Sequence, residues 1–150
     1  MKRHVTRLAL TAIALFSAFP AAAAPPVDKL DARDPVATFT QFAEMGYAPE
    51  YPESGKKGVI MLTSGSDRLL AIFGGCTADQ ECNYIVLYGQ FSDEVTLDAA
   101  ALNKLNADYD FIKVYFYDGH KLAFTMGLQA QGLTRAHFRA SIDGFLASKA

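Results

Sequence analysis

GGCTADQECNYIVLYGQF, residues 74–91, sets two cysteines six positions apart and runs from the second almost directly into an apolar stretch. Three chemistries use such a pair: a metal site, a redox centre or a structural crosslink. Zinc takes about four Cys or His ligands at close spacing, and beyond His4 near the start only His120 and His137 exist, both far along the chain. Redox pairs favour C-x-x-C at a helix N-terminus, where the thiol pKa falls. Here TADQE intervenes, and Asp79 and Glu81 would raise that pKa. The spacing therefore predicts a disulfide between Cys76 and Cys82, with no metal and no cofactor at this position. Closing so small a loop contributes about 2 to 2.5 kcal/mol in the chain-entropy picture.

The run that follows, NYIVLYGQF over residues 83–91, is apolar on both alternating faces, as a central strand is. Upstream, GVIMLT (58–63) and RLLAIF (68–73) flank SGSD and read as a hairpin. The disulfide would clamp the start of the central strand to the end of its predecessor. Further back, Asp34 and Pro35 mark the N-cap and first position of a helix over 35–45, with Val36, Phe39, Phe42 and Ala43 turned inward and Gly46 as its stop. Residues 47–53 form a weak, proline-interrupted edge segment.

Downstream, Thr96 is placed to cap a helix over 97–108 that faces inward through Leu97, Ala101, Leu105 and Tyr109. Residues 111–117 and 120–128 make a second hairpin around Asp118-Gly119. A two-residue turn would set Phe116 against Lys121 and mix apolar with polar positions. A three-residue loop, residues 117–119, pairs Val114 with Leu122 and Ile112 with Phe124 and keeps the faces separate. A final helix follows the cap Thr134 and buries Phe138, Ile142, Phe145 and Leu146. The order α-β-β-β-α-β-β-α predicts an α+β, two-layer fold: an antiparallel sheet of about five strands with helices packed on it.

The N-terminus reads as a leader. Lys2, Arg3 and Arg7 precede the apolar residues 8–19, too short to span a bilayer, and Pro20 with four alanines follows. This predicts a signal peptide over 1–23, a short tether over 24–33 and one domain over 34–148. The protein is then periplasmic or secreted, where a cysteine pair oxidises. Removing the three leader cations takes the net charge from −2 to −5. Such a surface lacks the cationic patch that nucleic acid requires, and no second long apolar segment offers a membrane span after cleavage.

Gly46-Tyr47, the Cys76…Cys82 hairpin, Asn103-x-x-Asn106, Asp118-Gly119 and the helix after Gly132-Leu133-Thr134 occur together in one order. In that order and spacing, over residues 34–146, the chain resembles the YbjN-domain family of bacterial proteins. Leu105 stands where that family often carries an aromatic residue. The resemblance implies a fold like that of type III secretion chaperones and the label of a sensory transduction regulator, and it brings no catalytic residues with it.

No G-x-S-x-G elbow, H-E-x-x-H helix or phosphate-cradling glycine loop is present, and no catalytic residue is assigned. Strand alternation instead gathers side chains on one sheet face. If Ile112, Val114, Phe116, Leu122, Phe124 and Met126 meet the helices, the other face carries Lys113, Tyr115, Lys121 and Thr125, joined by Tyr84, Val86 and Tyr88. Tyrosine supplies contact area with a polar tip and is enriched at interfaces. Tyr84, Val86, Tyr88 and Tyr115 are the candidate contacts for a protein or peptide partner or a second copy of the chain. Asn103 and Asn106, three apart on one helix, either bond neighbouring backbone or touch a ligand. The expected activity is that of a non-enzymatic binding or regulatory module, possessing chaperone-like character; a small hydrolase or thiol enzyme is the alternative.

Overall fold

The computed structural model describes residues 28–53, 56–94, 96–108, 111–119 and 121–147. Along the chain run α1 (Pro35–Glu44), β1 (Ala48–Glu50), β2 (Val59–Ser64), β3 (Asp67–Gly74), β4 (Tyr84–Glu94), α2 (Ala99–Asp108), β5 (Ile112–Asp118), β6 (Lys121–Gln129) and α3 (Arg135–Ala147). The fold is α+β, with one antiparallel sheet in the order β1-β2-β3-β4-β6-β5. That is six strands rather than five. The sixth is β1, the proline-interrupted segment, which pairs Ala48, Pro49 and Glu50 with Thr63, Leu62 and Met61. It survives at the rim because an edge strand tolerates the missing N–H of Pro49.

Alternation on the strands builds the core. Ile60 and Leu62, Leu69, Ala71 and Phe73, Ile85 and Leu87, and Leu122, Phe124 and Leu128 are all buried on one face. α1 and α3 supply the second layer: Phe42 stacks on Phe138 at 4.7 Å between ring centroids, and Phe145 meets Phe124 at 4.3 Å. α1 begins as its sequence requires, with Asp34 Oδ1 accepting from the amides of Val36 (2.9 Å) and Ala37 (3.3 Å). Its inward face differs from the expected one. Pro35, Thr38 and Phe42 are buried, whereas Val36 is 44% exposed and Ala43 is exposed. Thr38 can turn inward because its hydroxyl lies between the carbonyls of Asp31 (2.6 Å) and Asp34 (2.7 Å), so burial leaves no polar group unsatisfied.

Three further expectations are corrected. The β5–β6 hairpin pairs Ile112 with Met126, Val114 with Phe124 and Phe116 with Leu122, two residues away from the expected partners. Asp118 pairs with Lys121 around Gly119 (φ 59°), and a shift between Phe116 and Asp118 absorbs the extra residue. A displacement of two preserves which side chains face the core, so the assignment of faces stands although the pairing does not. α2 starts at Ala99, and Asp98 rather than Thr96 caps it, accepting from the amide of Ala101 at 2.8 Å. None of its residues is fully buried: Ala101 and Leu105 are half-exposed beside β5, Leu97 is half-exposed in the stretch before the helix, and Tyr109 lies outside the described residues. Finally, the second part of the supposed tether belongs to the packed body. Leu30 and Ala32 are buried, and the amide of Leu30 donates to Leu133 O at 3.0 Å. The expected signal peptide over 1–23 lies outside the described residues, and no described helix is long and apolar enough to cross a membrane.

Candidate functional site

Cys76 and Cys82 form the disulfide that the spacing predicts, with 3.8 Å between Cα atoms. Gly74 and Tyr84 are the last paired residues of β3 and β4, so the crosslink closes the connection just beyond the ladder. Inside it, Thr77 and Gln80 exchange backbone hydrogen bonds of 2.7 and 3.0 Å around Ala78 (φ 51°) and Asp79 (φ 61°). Cys76 is exposed and Cys82 is buried in the core, where its amide donates to Arg33 O at 2.9 Å. The Cys82 backbone therefore ties the hairpin to the segment that precedes α1.

The other product of strand alternation is a sheet face over which no helix lies among the described residues. The registers bring Met61, Leu70, Tyr88, Thr125 and Lys113 into one row across five strands. A parallel row holds Val59, Ile72, Val86 and Gly127, and a third holds Gly74, Tyr84 and Gln129. Met61, Leu70, Ile72, Val86 and Tyr88 are half-exposed, and Tyr84, Tyr115 and Tyr117 are exposed, at 44%, 40% and 39%. All four candidate contacts, Tyr84, Val86, Tyr88 and Tyr115, thus lie on one surface. Tyr88 and Tyr115 are close enough to feel each other: partial burial, with Tyr88 beside it, pushes the Tyr115 phenol above its ordinary pKa. Tyr84 has a second task. Its ring lies directly over Gly74 on the facing strand, so a Cβ there would collide with it.

At one end of this face is an open cavity of about 590 Å³. Met61, Arg68, Leu70, Tyr88, Gln90, Tyr117 and Lys121 line it, and the Gln90 amide donates to Tyr88 Oη at 2.5 Å. Of these only Tyr88 and Lys121 stand among the residues that alternation alone places on the face. Extending the same alternation to β2 and β3 finds Met61, Arg68 and Leu70. Tyr117 continues the alternation of Lys113 and Tyr115 along β5, and the strand order, which sets β5 beside β6, brings it to the same cavity as Lys121.

Asn106 is held by the edge strand. Its Nδ2 donates to Val114 O at 2.8 Å while its Oδ1 accepts from Val114 N at 2.7 Å. Lys113 Nζ adds a bond to Asn106 O at 3.2 Å. The amide occupies a neighbouring strand's place beside β5, rather than satisfying a loop. Asn103, one turn earlier, is exposed. His137 is exposed on α3 and donates its amide to Thr134 Oγ1 at 3.1 Å, and His120 lies outside the described residues. Among the described residues there is no group of three or more His, Cys, Asp or Glu arranged to hold a metal ion.

In comparison with known proteins, the chain matches no family profile and no curated protein.

Proposed function

We propose that the chain is an exported, non-enzymatic binding or regulatory module of the YbjN type, which engages a protein or peptide partner through its open, tyrosine-rich sheet face. One observation carries the reading: a five-strand surface with three exposed tyrosines and a row of half-exposed apolar side chains has no helix over it among the described residues, while α1 and α3 pack on the opposite face. Contiguous apolar surface rimmed by polar groups marks interaction sites on soluble proteins, and tyrosine contributes contact area there at low cost in rotamer entropy. The Cys76–Cys82 crosslink supports export, since such bonds persist in oxidising compartments.

The test is in-cell crosslinking followed by partner identification, with the wild-type chain beside Tyr88→Ser/Tyr115→Ser. These side chains point outward and cover no glycine, so the double variant should keep its melting temperature. Loss of the crosslinked partner, or of self-association measured by analytical ultracentrifugation, is the expected result. Unchanged partners together with an unchanged oligomeric state would reject the face as an interface.

A further inference from the structure

The residues inside the crosslink hold a backbone that their own sequence disfavours. Thr77 and Gln80 pair as an isolated bridge, so Ala78 and Asp79 form a two-residue turn with both φ angles positive, at 51° and 61°. Hairpins fill such a turn with Asn-Gly or Gly-Gly. Glu81 follows at a φ of 53°. Everywhere else among the described residues a positive φ belongs to glycine, so all the exceptions share one loop. A side chain in this region is disfavoured about fivefold or more against glycine, and aspartate tolerates it better than most. Ala78 and Glu81 therefore carry most of the strain. Burial does not offset it, because residues 77–81 are all exposed. Among the described residues, the crosslink and the short bridge inside it hold the loop in this shape.

We propose that the Cys76–Cys82 bond is a reducible clasp, opened by a dithiol that acts at Cys76. A bond that closes a strained loop releases the strain when it breaks, and strained or exposed disulfides are the more easily reduced ones. Cys76 is exposed and Cys82 is buried, so access selects the sulfur. One thiolate of the dithiol attacks Cys76 Sγ and forms a mixed disulfide there. The bond to Cys82 breaks, its electron pair leaves on Cys82 Sγ, and that sulfur takes up a proton. The second thiolate of the dithiol then attacks its own sulfur in the mixed disulfide and expels Cys76 Sγ, which takes up the second proton. Two electrons pass: the dithiol becomes a disulfide and the chain carries two thiols. The effect reaches beyond the loop. The Cys82 amide donates to Arg33 O at 2.9 Å, and Leu30 and Ala32 lie in the same core cluster as Cys82. Once Cys82 is no longer fixed to Cys76, relaxation of the loop loosens residues 30–33, which lead into the Asp34 cap of α1.

The test equilibrates the oxidised chain with glutathione redox buffers and counts thiols by alkylation and mass spectrometry. Beside it runs Ala78→Asn/Asp79→Gly/Glu81→Gly, which supplies residues that accept a positive φ and keeps both cysteines. The equilibrium constant for reduction should be about tenfold or more higher for the wild-type chain than for the variant, which corresponds to about 30 mV. A dithiol carrier whose second cysteine is replaced by serine should be trapped on the wild-type chain at Cys76, as read by peptide mapping. Amide exchange at residues 30–33 of the wild-type chain should quicken about tenfold on reduction. Equal reduction constants for the two proteins overturn the proposal. So does a mixed disulfide found on Cys82, or exchange at residues 30–33 that reduction leaves unchanged. The trapping and exchange readings use the wild-type chain alone, so the proposal can still fail where the triple variant does not fold.

Discussion

Two glycines let aromatic rings cross the sheet, one on each face. On the inner face Gly89 of β4 stands opposite Phe124 of β6, and a Cβ at position 89 would come within 2.6 Å of the Phe124 ring. On the open face Gly74 plays the same part beneath Tyr84. A ring laid over a facing glycine covers backbone that has no side chain of its own. The inner pair is the more constrained, because Phe124 is also held by Phe91 at 5.2 Å and Phe145 at 4.3 Å between centroids and cannot swing away. Gly89→Ala should therefore overpack the core and lower stability by about 1 to 3 kcal/mol, read as a shift of the urea midpoint at constant m-value. An unchanged midpoint would mean that the ring moves freely. In the sequence Gly89 only interrupts an apolar run; its facing partner becomes visible once β4 and β6 are neighbours. Tyr84 was legible as an outward residue, but its service to Gly74 was not.

At the scale of elements, α2 is the unusual one. It buries no residue fully and, unlike α1 and α3, lies beside the sheet rather than on it. An edge strand exposes unpaired N–H and C=O groups that invite pairing with another chain. The Asn106 side chain answers both groups of Val114 at once, so α2 acts as a guard on β5. Asn106→Ala should free that position. We expect amide exchange at Val114 to accelerate about tenfold, which corresponds to ~1.4 kcal/mol of lost local protection, and the variant to self-associate at high concentration. Exchange at the wild-type rate would show that the helix, and not the amide, guards the strand. The existence of α2 was readable from helical periodicity. Its start moved to Asp98 because either Thr96 or Asp98 has cap chemistry, and only the path of the preceding chain selects between them. Its place at the edge was not readable, since half-exposed Leu97, Ala101 and Leu105 give the same spacing as a buried stripe.

Across the whole molecule, distant parts of the chain meet at the Cys82 end of β4. The disulfide joins β4 to the end of β3, the Cys82 amide holds Arg33 O, and the next backbone links reach α3: Arg135 N donates to Asp28 O, and the Arg135 side chain reaches Asp28 at 3.3 Å and Glu44 at 2.7 Å. Removing the crosslink should loosen this junction as well as the small loop. Cys76→Ala/Cys82→Ala should lower stability by about 2 kcal/mol, measured by chemical denaturation, with the largest gain in hydrogen exchange at the start of β4 and at residues 30–33. Protein isolated with two free thiols on alkylation would contradict the crosslink itself.

The sequence by itself determined the elements and their faces. Helical and strand periods are properties of the local backbone, so Asp34, Pro35, Gly46 and Thr134 mark helix ends, and alternation separates Leu87 from Tyr88 whatever lies next to them. The cysteine pair was legible for the same reason, being a loop closed over six positions. Strand order, the two-residue shift of the last hairpin, the docking of residues 28–33 and the cavity bordered by Arg68, Tyr117 and Lys121 were decided only by the tertiary structure. Each depends on groups far apart in the chain. Shifts by two residues leave the pattern of faces unchanged, and so packing between strands, through rings such as Phe124 over Gly89, must choose among registers that the sequence leaves equal.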